Sequence, residues 1–189
     1  MTDTISLTPR LADLRGSFTL DRDHTRIGFV ARHAMVTKVR GAFNDFEGHV
    51  SVDGPDVSRA QVTLTIQAAS IDTRNAQRDA HLRSNDFLAM AEFPVITFTS
   101  THVRQTGPES VELTGDLTIK GVTRPVTIPF EFGGATTDPY GDFRVGFEGS
   151  VTINRKDYGI TWNAALETGG VLVSDKIVLE FEVAAVRAA

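Results

Sequence analysis

From Phe18 onward apolar and polar residues alternate with a period of two, the pattern of antiparallel strands that bury one face. Val111, Leu113, Leu117 and Ile119 share one parity with Gly115, while Glu112, Thr114, Asp116, Thr118 and Lys120 take the other. Val126, Ile128, Phe130 and Phe132 form the next apolar face, and Gly121 between the two runs predicts a hairpin turn. Phe143, Val145, Phe147, Val151 and Ile153 repeat the scheme with Gly149. Ile177, Leu179, Phe181 and Val183 end it, with Glu180 and Glu182 outward. Earlier, Ile27, Phe29 and Ala31 alternate with Arg26 and Arg32, and Val62, Leu64 and Ile66 with Thr63, Thr65 and Gln67. Roughly eight strands follow.

The stretch from Lys38 to Asp53 would span roughly 50 Å as one strand. Val39 and Phe43 are odd whereas Phe46, Val50 and Val52 are even, so a bulge is expected near Asn44 and Asp45. Long, bulged, one-sidedly apolar strands favour a closed up-and-down barrel over a sandwich, because closure removes unpaired edges. An eight-stranded barrel is either plugged by its own side chains or wide enough for one slender ligand. The inward parity includes Gly41, Gly48, Gly115 and Gly149, read here as positions that leave room inside. Twelve phenylalanines and one tryptophan serve equally to line a tunnel or to pack a core.

One polar helix interrupts the strands. Asp72 is the expected N-cap, Asn75 to Leu82 form about two turns, and Pro94 bars continuation before Val95, Ile96 and Thr97. Arg74, Arg78 and His81 then fall at i, i+4 and i+7 on one face, with Asn75, Asp79 and Leu82 on the next. The first face reads as a basic rim, or, with Arg78 and Asp79 bonded to neighbouring loops, as part of what pins the helix. Arg155, Lys156 and Asp157 read as rim charges or a solvated hairpin end, the usual meaning of a short charge run. At the amino terminus Thr8, Pro9, Leu11, Leu14 and Gly16 suit a short capped helix or turn packed on the body. Met1 to Gly16 shows no basic stretch followed by an apolar run, so a cytoplasmic location is expected.

A chain of 189 residues with 41% hydrophobic content suits one domain, and 19 basic against 24 acidic residues argue against nucleic acid as a partner. Zero cysteines exclude disulfides, thiolate metal sites and a cysteine nucleophile. Gly-x-Ser-x-Gly, His-Glu-x-x-His and Gly-rich phosphate-binding patterns are missing. The five histidines, His24, His33, His49, His81 and His102, show no metal-triad spacing. No enzyme, metal or required cofactor is therefore expected, and no membrane-crossing helix.

Specific residues carry a family likeness from about Phe18 to Val186. They are Asp23, His24, Thr25, Ile27, Phe29 and His33; Val39, Arg40, Gly41, Phe43, Phe46 and Gly48; and, between Ser70 and Ser100, Asp72, Thr73, Arg78, Asp79, His81, Leu82, Asp86, Phe87, Pro94 and Phe98. The run from Leu113 to Val126, then Gly146, Phe147 and Glu148, then Arg155 to Ile160, complete the set. In order and spacing the chain resembles the YceI-like family of bacterial lipocalin-like polyisoprenoid-binding proteins. The resemblance implies an extended eight-stranded antiparallel barrel over 16–189 behind an N-terminal extension, 1–15. It also implies a long apolar cavity for an isoprenoid tail, that of a quinone or a prenyl phosphate, with fatty acids and amides as substitutes.

On that reading Phe29, Phe43, Phe98, Phe143, Phe147 and Trp162 are expected to line the tunnel, with ordinary core packing as the alternative. His33, Arg74, Arg78 and His81 are expected at its mouth. Two other readings remain open. One is a cavity isomerase or cyclase with His33 or His24 as acid–base group, marked by a histidine and a carboxylate meeting inside the cavity. The other is a module that sequesters amphiphiles. A homodimer is compatible with all three.

Overall fold

The computed structural model describes residues 8–189. Its strands are β1 (Gly16–Leu20), β2 (Arg26–His33), β3 (Thr37–Phe43), β4 (Phe46–Val52), β5 (Ala60–Gln67), β6 (Ile71–Asp72), β7 (Val95–Gln105), β8 (Ser110–Ile119), β9 (Val122–Thr137), β10 (Phe143–Asn154) and β11 (Lys176–Arg187). All pair antiparallel. The ring runs β1, β4, β5, β7, β8, β9, β10, β11 and back to β1, which makes a closed eight-stranded barrel. β2 continues β1 along β11, β3 precedes β4, and β6 extends β5 against β3, so three wall positions are each built from two consecutive segments.

The break between β3 and β4 falls at Asn44 and Asp45, where the parity change required it. The β8–β9 hairpin turns at Lys120 and Gly121, both with positive φ (51° and 73°), the left-handed pair that matches strand twist. Further bulges lie at Thr101, between Ser100 and His102 of β7, and at Gly133 of β9 opposite the Gly146–Phe147 step. Such insertions sharpen the coiling a closed barrel needs.

Register places two sets of connections at opposite ends. One end carries helix α1 (Ala76–Arg83), the β2–β3 and β8–β9 hairpins and the 155–175 segment. The other carries the 3-10 turns Leu11–Asp13 and Val57–Arg59 and the β7–β8 and β9–β10 turns. Helix α1 starts one cap later than the sequence reading has it. Asn75 Oδ1 accepts from Arg78 N at 2.8 Å and is the cap, while Asp72 accepts from Arg74 N at 2.7 Å and shapes the preceding turn, where Arg74 has φ 61°.

Met1 to Leu7 of the expected extension lie outside the described residues. The part described is core: Leu11 is 1% exposed and, with Leu14 and Val57, joins Phe18, Val103, Val111, Phe132, Val145 and Ala185 in one apolar cluster. A second cluster at the α1 end gathers Ile27, Phe46, Ile66, Phe87, Leu88, Phe98, Ile128, Tyr158 and Ile160.

Outside the wall, Arg144 bridges Asp21 and Asp138, with Asp138 Oδ2 at 2.6 Å from its Nε. The Arg144 hydrogen bond holds the Asp138 carboxyl below the usual range. Burial pushes Asp21 up, but hydrogen bonds from His24 and Arg144 outweigh it and leave Asp21 lowered too. Depressed carboxylates contribute stability that is complete above their unfolded pKa and is lost as pH falls through the folded value. Melting temperatures should therefore hold from pH 7 to about 5 and drop below about pH 4. The gap between wild type and Arg144→Ala should narrow over the same descent in scanning calorimetry.

Candidate functional site

Inward-facing residues are not all sealed. Phe29, Val62, Leu64, Leu113, Phe130, Leu179 and Phe181 share the buried parity yet are only partly buried, packed against the α1-end cluster. The surface they keep is the wall of an internal cavity of about 310 Å³. That wall is almost wholly hydrocarbon and runs from Leu11, Leu14 and Val57 at one end to Leu82, Phe87 and Leu88 at the other. The volume sits at the small end of ligand sites, and the low polarity suits an aliphatic chain.

The glycines do not leave room in the way the sequence suggests. A Cβ on Gly41 would lie 2.3 Å from Phe29 Cζ, on Gly48 2.4 Å from Leu20 Cδ1, on Gly115 2.4 Å from Phe98 Cζ, and on Gly149 2.6 Å from Phe130 Cδ1. Each glycine is already covered by a neighbour. Phe29 stands directly opposite Gly41, and Phe130 opposite Gly149. Because the ring lies down against bare backbone instead of projecting across the barrel, glycine widens the lumen through its neighbour. Gly115→Leu thus cannot act as a simple stopper, since its Cβ also meets Thr99 O at 2.5 Å. Even Gly115→Ala is expected to lower the melting temperature by about 3–10 °C, and Gly115→Leu to lose the fold, measured by thermal denaturation.

Of the six aromatic candidates, Phe29, Phe43, Phe98 and Phe147 form part of the cavity wall. Phe143, the first residue of β10, packs outside it, 6.4 Å from Phe18 with the Arg187 guanidinium 4.0 Å above its ring. Trp162 forms a layer behind Phe87, at 5.4 Å, and is edge-on to His81 at 4.7 Å. Neither is a wall residue: Phe143 keeps the inward parity but stands beyond the end of the lumen, and Trp162 lies in the 160–175 segment, outside any strand.

The four polar candidates are not gathered at a mouth, and none contributes to the cavity wall. His33 is exposed at the β2–β3 hairpin and pairs with Val173 through a single backbone bridge. Arg74 precedes the helix and does not share its face. Arg78 Nε donates to Thr73 Oγ1 at 2.7 Å and its Nη2 to Thr73 O at 2.8 Å, while buried Asp79 accepts from Thr73 N at 2.9 Å. These bonds tie α1 to the loop before it. His81 Nε2 lies 2.8 Å from Asp86. The other close histidine–carboxylate pair, His24 with Asp21 at 2.8 Å, is also outside the cavity.

The charge run at 155–157 divides. Lys156 and Asp157 are exposed, but Arg155 is 3% exposed and not a rim charge. Its guanidinium donates to Ser174 O, Ile160 O and Trp162 O at 2.9 Å each. One side chain so closes the 160–175 segment over the α1 end. The sequence signal that could have revealed the turn is Gly159 directly after it, which takes the left-handed conformation, φ 72°, that ends the turn.

An up-and-down antiparallel barrel with helical covers and an apolar lumen is the lipocalin-like class. The YceI-like domain model matches residues 18–185, and the chain belongs to that family. The Staphylococcus aureus (strain MSSA476) UPF0312 protein is 41% identical over 165 residues, covering 87% of this chain and 94% of the relative. Among solved structures, the Campylobacter jejuni YCEI protein superposes with TM-score 0.72 at 30% identity, covering 84% of this chain and 90% of the other. A polyisoprenoid binding domain from Saccharophagus degradans, implicated in plant cell wall breakdown, superposes with TM-score 0.69 at 15% identity over 90% of this chain and 98% of the other. The buried Leu11 and Leu14 precede the matched span.

Proposed function

We propose that the protein binds, stores or carries an isoprenoid-type lipid, its tail held in the barrel lumen. The observation that carries this reading is the lumen itself, about 310 Å³ bounded almost wholly by hydrocarbon. Burying about ten methylene equivalents is worth roughly 8 kcal/mol, near micromolar affinity before the cost of ordering the chain is subtracted. Recognition of the tail is permissive, so other amphiphiles compete for the same space. The description of the Saccharophagus degradans domain as polyisoprenoid binding supports the choice of cargo. A binding role is favoured over a cavity enzyme because His24 and His33 stand apart from the cavity wall.

The test is mass spectrometry of an organic-solvent extract of protein purified without detergent, set beside the intact-complex mass. A stoichiometric prenyl or acyl compound supports the reading. A protein that is empty and takes up neither quinones, prenyl phosphates nor fatty acids removes it.

A further inference from the structure

Tyr158 ends the 3-10 turn Arg155–Tyr158, is 2% exposed, and lends its ring to the cavity wall, with its hydroxyl withdrawn behind that hydrocarbon surface. Its hydroxyl is the one buried side-chain nitrogen or oxygen among the described residues without a hydrogen-bond partner. Buried polar groups are otherwise satisfied here, as Thr73, Asp79 and Arg155 show. An orphaned hydroxyl destabilises the empty protein, and phenylalanine would fill the same shape without that cost.

The hydroxyl is also held in place. Asn154 Oδ1 accepts from Lys156 N at 3.0 Å, Arg124 Nε donates to Asp157 O at 3.2 Å, and Lys120 Nζ donates to Gly159 O at 3.3 Å. With Arg155 fastened inside, the turn is braced from both faces, which pre-organises the phenol. Burial raises its pKa, so it stays protonated and offers a donor.

We propose that the Tyr158 hydroxyl is the polar anchor of the lumen, uncovered when cargo parts the side chains over it and then donating a hydrogen bond to a neutral carbonyl oxygen of the cargo, such as that of a quinone or amide. This rests on the lipid-carrier reading. A neutral acceptor is specified because the one guanidinium in the cavity wall, that of Arg155, already gives its donors to backbone carbonyls and has its counter-charge in Asp175, 3.7 Å away. A cargo with one carbonyl-bearing end therefore enters with that end toward Tyr158 and its tail toward Leu11 and Leu14.

The experiment compares wild type and Tyr158→Phe with three ligands of equal prenyl length: a quinone, a hydrocarbon and a phosphate. Wild type is expected to prefer the quinone to the hydrocarbon. The variant should bind the hydrocarbon unchanged, bind the quinone about three- to tenfold more weakly, and melt higher when empty. A variant that keeps the full quinone preference overturns the anchor. A phosphate held tightest by wild type and weakened equally in the variant overturns the neutral-carbonyl assignment. Failure of wild type to take up any of the three removes the carrier reading, and the anchor with it.

The β2–β3 hairpin supports an independent inference. At its tip Met35 and Val36 are 56% and 76% exposed, beside the exposed Val171. Residues 27–43 contain no Asp or Glu but include Arg32 and Lys38 on either side of the tip, with Arg40 paired to Glu180 farther down the hairpin, in a chain whose net charge is -5. An apolar tip between cations is complementary to an anionic bilayer surface. We infer that this hairpin docks the α1 end of the barrel on anionic lipid. Sedimentation with phosphatidylglycerol vesicles should carry down wild type in low salt, and phosphatidylcholine vesicles should not. The Met35→Ser/Val36→Ser double variant, folded by circular dichroism, should lose about tenfold in vesicle affinity. Equal sedimentation of variant and wild type, or none of either, overturns the assignment.

Discussion

Leu113→Trp is expected to purify as a folded barrel that retains no lipid. Leu113 lies on β8 between Val103 of β7 and Ile128 of β9, and it touches both apolar clusters, so it stands at the waist of the lumen. Overpacking a filled core costs about 1–3 kcal/mol, because neighbours are forced from their rotamers. Here the added ring enters volume that is already empty, so the penalty should fall at the low end of that range. Circular dichroism should be unchanged while bound prenyl or acyl material in the extract falls at least about tenfold. Leu113→Ala, which widens the waist, should retain it. Stoichiometric lipid on Leu113→Trp would show that the tail does not run through the lumen.

Arg155→Met should produce a large loss of stability at the α1 end. The guanidinium reaches carbonyls on both branches of the 160–175 segment, Ile160 and Trp162 on one and Ser174 on the other, with Asp175 Oδ1 3.7 Å away. Removing it strands several part-buried carbonyls at once and leaves a hole that methionine fills only in volume. Breaking a buried, multiply bonded charge costs about 3–5 kcal/mol. For a domain of this size the melting temperature should fall by about 6–20 °C. Limited proteolysis should first cut within residues 161–172. Arg155→Lys should rescue little, since one ammonium cannot span both branches as a planar fork does.

The two substitutions test features that were unequally legible. The strands at Val111–Ile119 and Val122–Phe132, their turn at Gly121, and the parity break at Asn44 and Asp45 could be read directly. Each depends on neighbours a few residues apart. Phe29, Phe43, Phe98 and Phe147 could be placed on the inner face for the same reason. Phe143 obeys the same parity but lies beyond the end of the lumen, packed on Phe18 under Arg187. The charges misled more. Arg78 read either as part of a ligand rim or, with Asp79, as a pin for the helix, and only the pin is seen: the two brace Thr73. Arg155 read as a solvated charge and is buried deeper than many leucines.

Alternation along the chain, punctuated by glycine and by one polar helix, determined an antiparallel barrel and which face of each strand turns inward, because strand periodicity is a local property of the backbone. Closure and register decided the rest. Only when β11 pairs with β1 and the barrel closes does it follow that Leu11 and Leu14 cap one end and that the Tyr158 hydroxyl is left without a partner. Those relations join residues distant in sequence, and no local period records which distant surface a side chain will meet.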